Sequence, residues 1–144
     1  LKNIVESISP DIIINSAAYT NVDLCEKYRH QARNVNVVGV ENLLKVSETD
    51  CLFIQISTDY VFDGEKGGYL ESDPTYPISY YGKTKLEAEN IIRGSNHRWF
   101  ILRPNVLYGN NLNLNASFVS WVVNSLSEKK DIFVVDFCNW SLWN

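Results

Sequence analysis

Three short apolar runs limit what this chain can fold into. Ile12-Ile13-Ile14, Leu52-Phe53-Ile54-Gln55-Ile56 and Trp99-Phe100-Ile101-Leu102 are too short for helices and rich in β-branched and aromatic side chains. Such runs read as strands, the first two as buried ones. The stretches between them carry helical periodicity instead. Leu1, Ile4, Val5 and Ile8 recur at helical spacing before Pro10-Asp11 ends the pattern. Residues 22–48 read as helix with a break near Arg29; Ala32, Val35, Val38 or Gly39, Asn42 or Leu43, and Val46 form its inner stripe. A helix opening at Tyr80 runs to about Ile92, with Ser79 suited to its N-cap and Gly94 to its stop. Residues 116–126 read as a further helix with Phe118, Val122 and Leu126 on one side, and Ile132-Phe133-Val134-Val135 as a last strand. Strands separated by helices of this length imply parallel βαβ units. The expected fold is therefore α/β, a doubly wound parallel sheet.

In such sheets ligands sit at the carboxyl ends of the strands. Asn15 to Tyr19 follow the first strand, Ser57 to Tyr60 the second and Arg103 to Tyr108 the third. Ala17 and Ala18 either close the first strand tightly or let a cofactor approach the backbone. The connection from Thr58 to Ser79 lacks periodicity and is rich in Gly and Pro. Loops of that length are usually functional or disordered.

Tyr81 and Lys85 lie four apart on the predicted helix, hence on one face. An ammonium near a phenol stabilises the phenolate and lowers its pKa, which makes the tyrosine a usable proton donor or acceptor near neutral pH. Thr58, at a strand end, can hold the same carbonyl oxygen by a hydrogen bond. The spacing is not specific by itself, since the chain has 8 tyrosines and short motifs recur by chance.

The context is more specific. Asn15-Ser16-Ala17-Ala18-Tyr19-Thr20-Asn21-Val22-Asp23, then Ser57-Thr58-Asp59-Tyr60-Val61-Phe62-Asp63-Gly64, then Tyr81-Gly82-Lys83-Thr84-Lys85-Leu86-Glu87 occur in that order. Over residues 10–136 the chain resembles the dTDP-4-dehydrorhamnose reductase family of extended short-chain dehydrogenases/reductases, most specifically in Ser57 to Gly64. The resemblance implies that residues 1–144 are part of a Rossmann-type NAD(P)-binding domain. It also implies reduction, by NADPH or NADH, of a nucleotide-linked 4-keto-6-deoxy sugar in dTDP-rhamnose biosynthesis. In that reading Tyr81 gives the proton, Lys85 lowers the tyrosine pKa and binds the cofactor ribose, and Thr58 orients the carbonyl. Ala17, Ala18, Tyr19, Ser57, Tyr81, Lys85 and Asn105 face the cofactor, and Asp59 and Tyr60 the substrate. Asn36 either holds backbone geometry near the site or is a surface helix residue. The resemblance also admits a homodimer.

It further implies a truncated chain. The 7 glycines include no G-x-G-x-x-G turn, so the N-terminal half that cradles the pyrophosphate is expected elsewhere. The C-terminal substrate region is largely missing too. The first strand would then be a bare apolar edge, and the fragment alone is expected to be inactive. Two other readings stay open. One is a sugar-nucleotide epimerase or dehydratase of the same superfamily; Thr58 to Phe62 favours the reductase over it. The other is a non-catalytic regulatory relative such as the methionine adenosyltransferase β-subunit.

The remaining features exclude function classes. A net charge of −4 and a pI near 5.1 argue against nucleic-acid binding. The apolar runs are too short to span a membrane, and no signal-peptide pattern opens the chain. Cys25, Cys51 and Cys138 lack metal or disulfide spacing, and His30 and His97 stand alone, so no metal site is expected. The expected compartment is the cytoplasm.

Overall fold

The structure, a computed structural model, describes residues 1–105 and 118–131. Three strands, β1 (Ile12–Asn15), β2 (Leu52–Ile56) and β3 (Arg98–Leu102), form one sheet in the order β1-β2-β3. Both pairings are parallel, with Ile13 opposite Phe53 and Phe53 opposite Trp99. The helices are α1 (Lys2–Ile8), α2 (Val22–Lys27), α3 (Arg29–Arg33), α4 (Gly39–Val46), α5 (Tyr80–Arg93) and α6 (Phe118–Ser127). The expected α/β class and parallel sheet are therefore observed.

One face of the sheet holds the core. Phe53 packs with Val40 and Leu44 of α4 and Ala88 and Ile92 of α5, and Ile13 and Ile101 flank them. The opposite face is left open by the described residues. Ile12, Ile14 and Phe100 on it are each more than half exposed, which corrects the reading of β1 as a buried strand. Strand residues alternate between faces, and among the described residues only one face of β1 meets helices.

The helical stretch after β1 departs from even periodicity. Its break falls at Tyr28, where φ −118° and ψ 53° leave helical geometry. From Asn34 to Val38 the turn is π-helical, and the Gly39 N–H reaches the Asn34 carbonyl. A π-turn inserts one residue and shifts the phase of everything after it. Ala32, Asn36, Val40 and Leu44, spaced by four, point inward with Val37. The expected stripe is corrected beyond Ala32: Val35 and Asn42 are exposed, and Val38, Gly39, Leu43 and Val46 only half-buried.

α5 is capped as expected. The Ser79 hydroxyl accepts from the Gly82 N–H at 3.1 Å, and Gly94 ends the helix. In α6 Ser125 is buried while Leu126 is 61% exposed, so the inner face expected through Leu126 is rotated by one residue. The expected strand at Ile132–Val135 and the segment Val106–Tyr108 lie outside the described residues. Among the described residues no helix is long and apolar enough to cross a membrane, and no cluster of ligating side chains could hold a metal ion.

Candidate active site

β2 ends at Ile56, and Ser57 and Thr58 leave the sheet at its carboxyl end. Thr58 is extended and caps a 3-10 turn, Asp59–Val61. Its hydroxyl oxygen accepts the Tyr60 N–H at 3.2 Å and donates to Asp59 Oδ1 at 3.2 Å. The same hydroxyl is near enough to the Tyr81 phenol to lower its pKa, as a donor to the phenolate does.

The turn and α5 approach closely at Gly82, and Tyr60 and Tyr81 meet edge to face with ring centroids 5.9 Å apart. Tyr81 is buried against Cys25 and Ala32, with Tyr19 packed beside them. Lys85 lies one turn below Tyr81 and is only 2% exposed. Its Nζ donates to the Ile56 carbonyl at 2.6 Å. Burial lowers the Lys85 pKa to about 8, against a smaller opposing pull from Glu89.

The phenol behaves differently from the sequence-based expectation. Burial, with smaller contributions from Cys25, Asp59 and Tyr60, raises the Tyr81 pKa above its ordinary value, and among the described residues the Thr58 hydroxyl alone holds it down. Lys85 spends its nearest contact on the Ile56 carbonyl, so its expected lowering of the phenol pKa is corrected for the chain by itself. A raised pKa keeps the phenol protonated at neutral pH, the state a proton donor requires.

The strand-end loop Ala17–Tyr19 is fastened by Asn36. The Asn36 Oδ1 accepts the Tyr19 N–H at 2.7 Å, and its Nδ2 donates to the Tyr19 carbonyl at 3.1 Å and to Thr84 Oγ1 at 2.9 Å. Thr84 in turn donates to the Tyr81 carbonyl at 2.8 Å. Asn36 is buried, so the surface-residue alternative falls. Ala17 is exposed and Ala18 half-buried; the Ala17 N–H donates to Asn15 Oδ1 at 3.2 Å, and Asn15 is bonded to Gln55 across the sheet at 2.9 Å.

Not every expected residue converges by its side chain. The Ser57 hydroxyl turns inward and donates to Glu89 at 2.5 Å, so a cofactor there would meet its backbone. Asp59, Tyr60 and Asn105 line a cleft of about 1030 Å³, together with Phe62, Glu71 and Arg103. Burial raises the Asp59 pKa, against the Thr58 hydrogen bond. Glu89, Gln55 and Thr84 were not foreseen. For Glu89 a signal existed: it follows Lys85 by four residues on the face of Tyr81.

The donor set fits the ribose of a nicotinamide dinucleotide. An ammonium has three hydrogens, and Lys85 uses one on Ile56, leaving two donors for vicinal hydroxyls. The small Ala17 and Ala18 leave the backbone of the neighbouring loop within reach.

Several known proteins are similar to this chain. The dTDP-4-dehydrorhamnose reductase of Aggregatibacter actinomycetemcomitans is 38% identical over 92% of this chain and 45% of its own length. The methionine adenosyltransferase 2 subunit beta of Xenopus laevis is 33% identical over 96% of this chain and 42% of its own. The crystal structure of dTDP-4-dehydrorhamnose reductase from Bacillus anthracis in complex with NADP superposes with a TM-score of 0.81, at 36% identity, over 91% of this chain and 46% of that one. The chain thus spans under half the length of these relatives. Residues 1–138 match the model of the RmlD substrate binding domain, and the chain belongs to that family.

Proposed function

We propose that this chain is the catalytic portion of an NAD(P)H-dependent reductase acting on a nucleotide-linked 4-keto-6-deoxy sugar, of the dTDP-4-dehydrorhamnose reductase type. One observation carries the reading: the Thr58 hydroxyl lowers the pKa of the Tyr81 phenol, and Lys85, one helical turn on from Tyr81, is buried. When bound, a reduced nicotinamide supplies the hydride. Tyr81 gives its phenolic proton to the substrate oxygen as that oxygen becomes a hydroxyl. Thr58 donates a hydrogen bond to the same oxygen, releasing Asp59 to the cleft. Lys85 turns its two remaining N–H donors to the ribose, and Asn36 keeps the Ala17–Tyr19 loop in place beside it. Asp59, Tyr60 and Asn105 meet the substrate or cofactor along the cleft wall. Residues 1–144 form part of one NAD(P)-binding domain, in a cytoplasmic enzyme of dTDP-rhamnose biosynthesis that assembles as a homodimer.

The test uses the full-length product of the gene. NADPH or NADH oxidation is followed with dTDP-4-keto-6-deoxy sugar, for the wild type and for Tyr81→Phe, Lys85→Met and Thr58→Val. Turnover that falls by on the order of 100-fold or more in Tyr81→Phe supports the reading. Wild-type protein that leaves the cofactor unoxidised, or Tyr81→Phe that matches it, refutes the reading. Tight binding to a methionine adenosyltransferase without reduction would favour the regulatory alternative.

A further inference from the structure

Glu89 is fully buried, yet it is ionised: Arg103, Ser57 and Arg93 together hold its pKa below the usual carboxylate range against the desolvation that would raise it. Its Oε1 accepts from Ser57 Oγ at 2.5 Å and from Arg103 Nε at 3.0 Å. Its Oε2 accepts from Arg103 Nη2 at 2.6 Å and Arg93 Nη2 at 2.9 Å. The Arg103 contact is a two-point fork, the strong and directional form of a carboxylate pair. Arg103 then reaches into the long connection. Its guanidinium lies 5.0 Å over the Phe62 ring and donates to the Glu71 carbonyl at 3.4 Å. Phe62 is stacked on Tyr69, 4.4 Å between centroids.

Three separate parts of the site therefore end on one carboxylate. Ser57 belongs to the end of β2, Arg103 to the end of β3 and to the cleft wall, and Glu89 to the helix of Tyr81 and Lys85. We propose that Glu89 is a positioning residue of the site: it locks both strand ends and the cleft loop to α5, and its charge supports the Lys85 ammonium one turn away. This inference rests on the reductase reading of Tyr81 and Lys85. A buried carboxylate is expensive to keep unless its hydrogen bonds are complete, and here all the donors come from segments that border the cleft or the strand ends.

The charged groups around the pair are few. Among the described residues, Glu89 from α5 and the Ile56 carbonyl from β2 face Lys85, and Arg93 from α5 and Arg103, just after β3, face Glu89. Removing the Glu89 charge withdraws the one influence that raises the Lys85 pKa, so the ammonium loses its proton at lower pH.

The test uses the full-length protein with Glu89→Gln, Glu89→Asp and Arg103→Lys. The readouts are kcat and KM against pH, and Lys85 titration followed by NMR. Glu89→Gln is expected to lower kcat by on the order of 10- to 100-fold through misplacement, to raise the substrate KM, and to move the alkaline limb to lower pH. Glu89→Asp restores the limb. If Glu89→Gln does not fold, Arg103→Lys keeps the carboxylate and breaks its fork; it should lower kcat and raise KM with the limb in place. A folded Glu89→Gln or Arg103→Lys with wild-type kcat, KM and pH profile overturns the proposal. An inactive wild type sinks the reductase reading instead, and the NMR titration then decides the role of Glu89. Lys85 titrating at lower pH in Glu89→Gln supports it, and an unmoved titration overturns it.

Discussion

Gly82 lies directly beneath the Tyr60 backbone carbonyl: a β-carbon on Gly82 would stand 2.2 Å from that oxygen and 3.0 Å from Pro77 Cβ. This is how α5 comes close enough to the Asp59–Val61 turn for the Tyr81 phenol to reach Thr58.

The contact predicts the sign of a substitution. Gly82 is within a helix, where alanine is ordinarily favoured by about 1 kcal/mol. Here the obstacle is backbone, which cannot rotate away as a side chain can. Gly82→Ala should therefore destabilise, by about 1–3 kcal/mol as for other overpacked sites, and push the turn off α5. Chemical denaturation measures the first effect, and loss of the Tyr60–Tyr81 ring contact by NMR the second. An equal or greater stability for Gly82→Ala would show that the close approach is not real.

Asn36 offers a second test, because three hydrogen bonds depend on its amide. Asn36→Ala leaves the Tyr19 N–H unpaired in a part-buried place and its carbonyl held by the Cys25 thiol at 3.4 Å, and an orphaned group costs about 1–3 kcal/mol. The expected loss is roughly 2–4 kcal/mol, with faster hydrogen exchange at the Tyr19 amide. Asn36→Asp keeps the acceptor for that amide but turns a carboxylate oxygen toward the Tyr19 carbonyl. It should protect the Tyr19 amide better than alanine does and still destabilise the fold. Unchanged exchange at Tyr19 in Asn36→Ala would remove Asn36 from the support of this loop.

Among the described residues, the Thr58 hydroxyl is the one neighbour that lowers the Tyr81 pKa. Thr58→Val should thus raise that pKa further, while Thr58→Ser keeps it close to the wild-type value. Tyrosine side-chain NMR against pH reads this directly. A Tyr81 resonance that titrates at the same pH in Thr58→Val and wild type would mean that the hydroxyl and phenol do not interact.

What could be read ahead of the structure differs from element to element. The three strands were legible because apolar β-branched runs have few other destinations, and α5 because Ser79 and Gly94 mark both ends. Tyr81 and Lys85 were legible from helical spacing, and Thr58 from its place after a strand. Asn36 was not settled, because spacing does not show that its amide finds the Tyr19 backbone and Thr84 as partners. The raised Tyr81 pKa was missed for a related reason. Spacing shows that Lys85 shares a face with Tyr81, but not that the Ile56 carbonyl takes its ammonium. Glu89 reads from sequence as one more helix acid, and only the convergence of Ser57, Arg93 and Arg103 shows it to be buried.

Lys85 itself carries a pH-dependent cost. Its pKa is about 8 in the folded chain and about 10.4 in an unfolded one. Below pH 8 both states hold the proton, so the cost of burying the ammonium is fully present. Between pH 8 and about 10.4 the unfolded state binds more protons than the folded state, and stability contributed by this group rises with pH. A shift of that size corresponds to on the order of 3 kcal/mol. Lys85→Met removes the charge and leaves the Ile56 carbonyl to the Gln55 side-chain amide, which donates to it at 3.0 Å; the lost charged hydrogen bond costs about 1.5–3 kcal/mol in return. The variant should therefore be more stable than wild type at pH 7 by on the order of 1 kcal/mol, with an advantage that shrinks and reverses as pH rises toward 10. Such a gain in stability at the expense of activity is the usual mark of a functional residue kept in an unfavourable place. Denaturant titrations of both proteins at several pH values measure the difference. A difference that stays constant from pH 7 to about pH 10 would mean that Lys85 keeps an ordinary pKa, and that its ammonium reaches solvent instead of the Ile56 carbonyl.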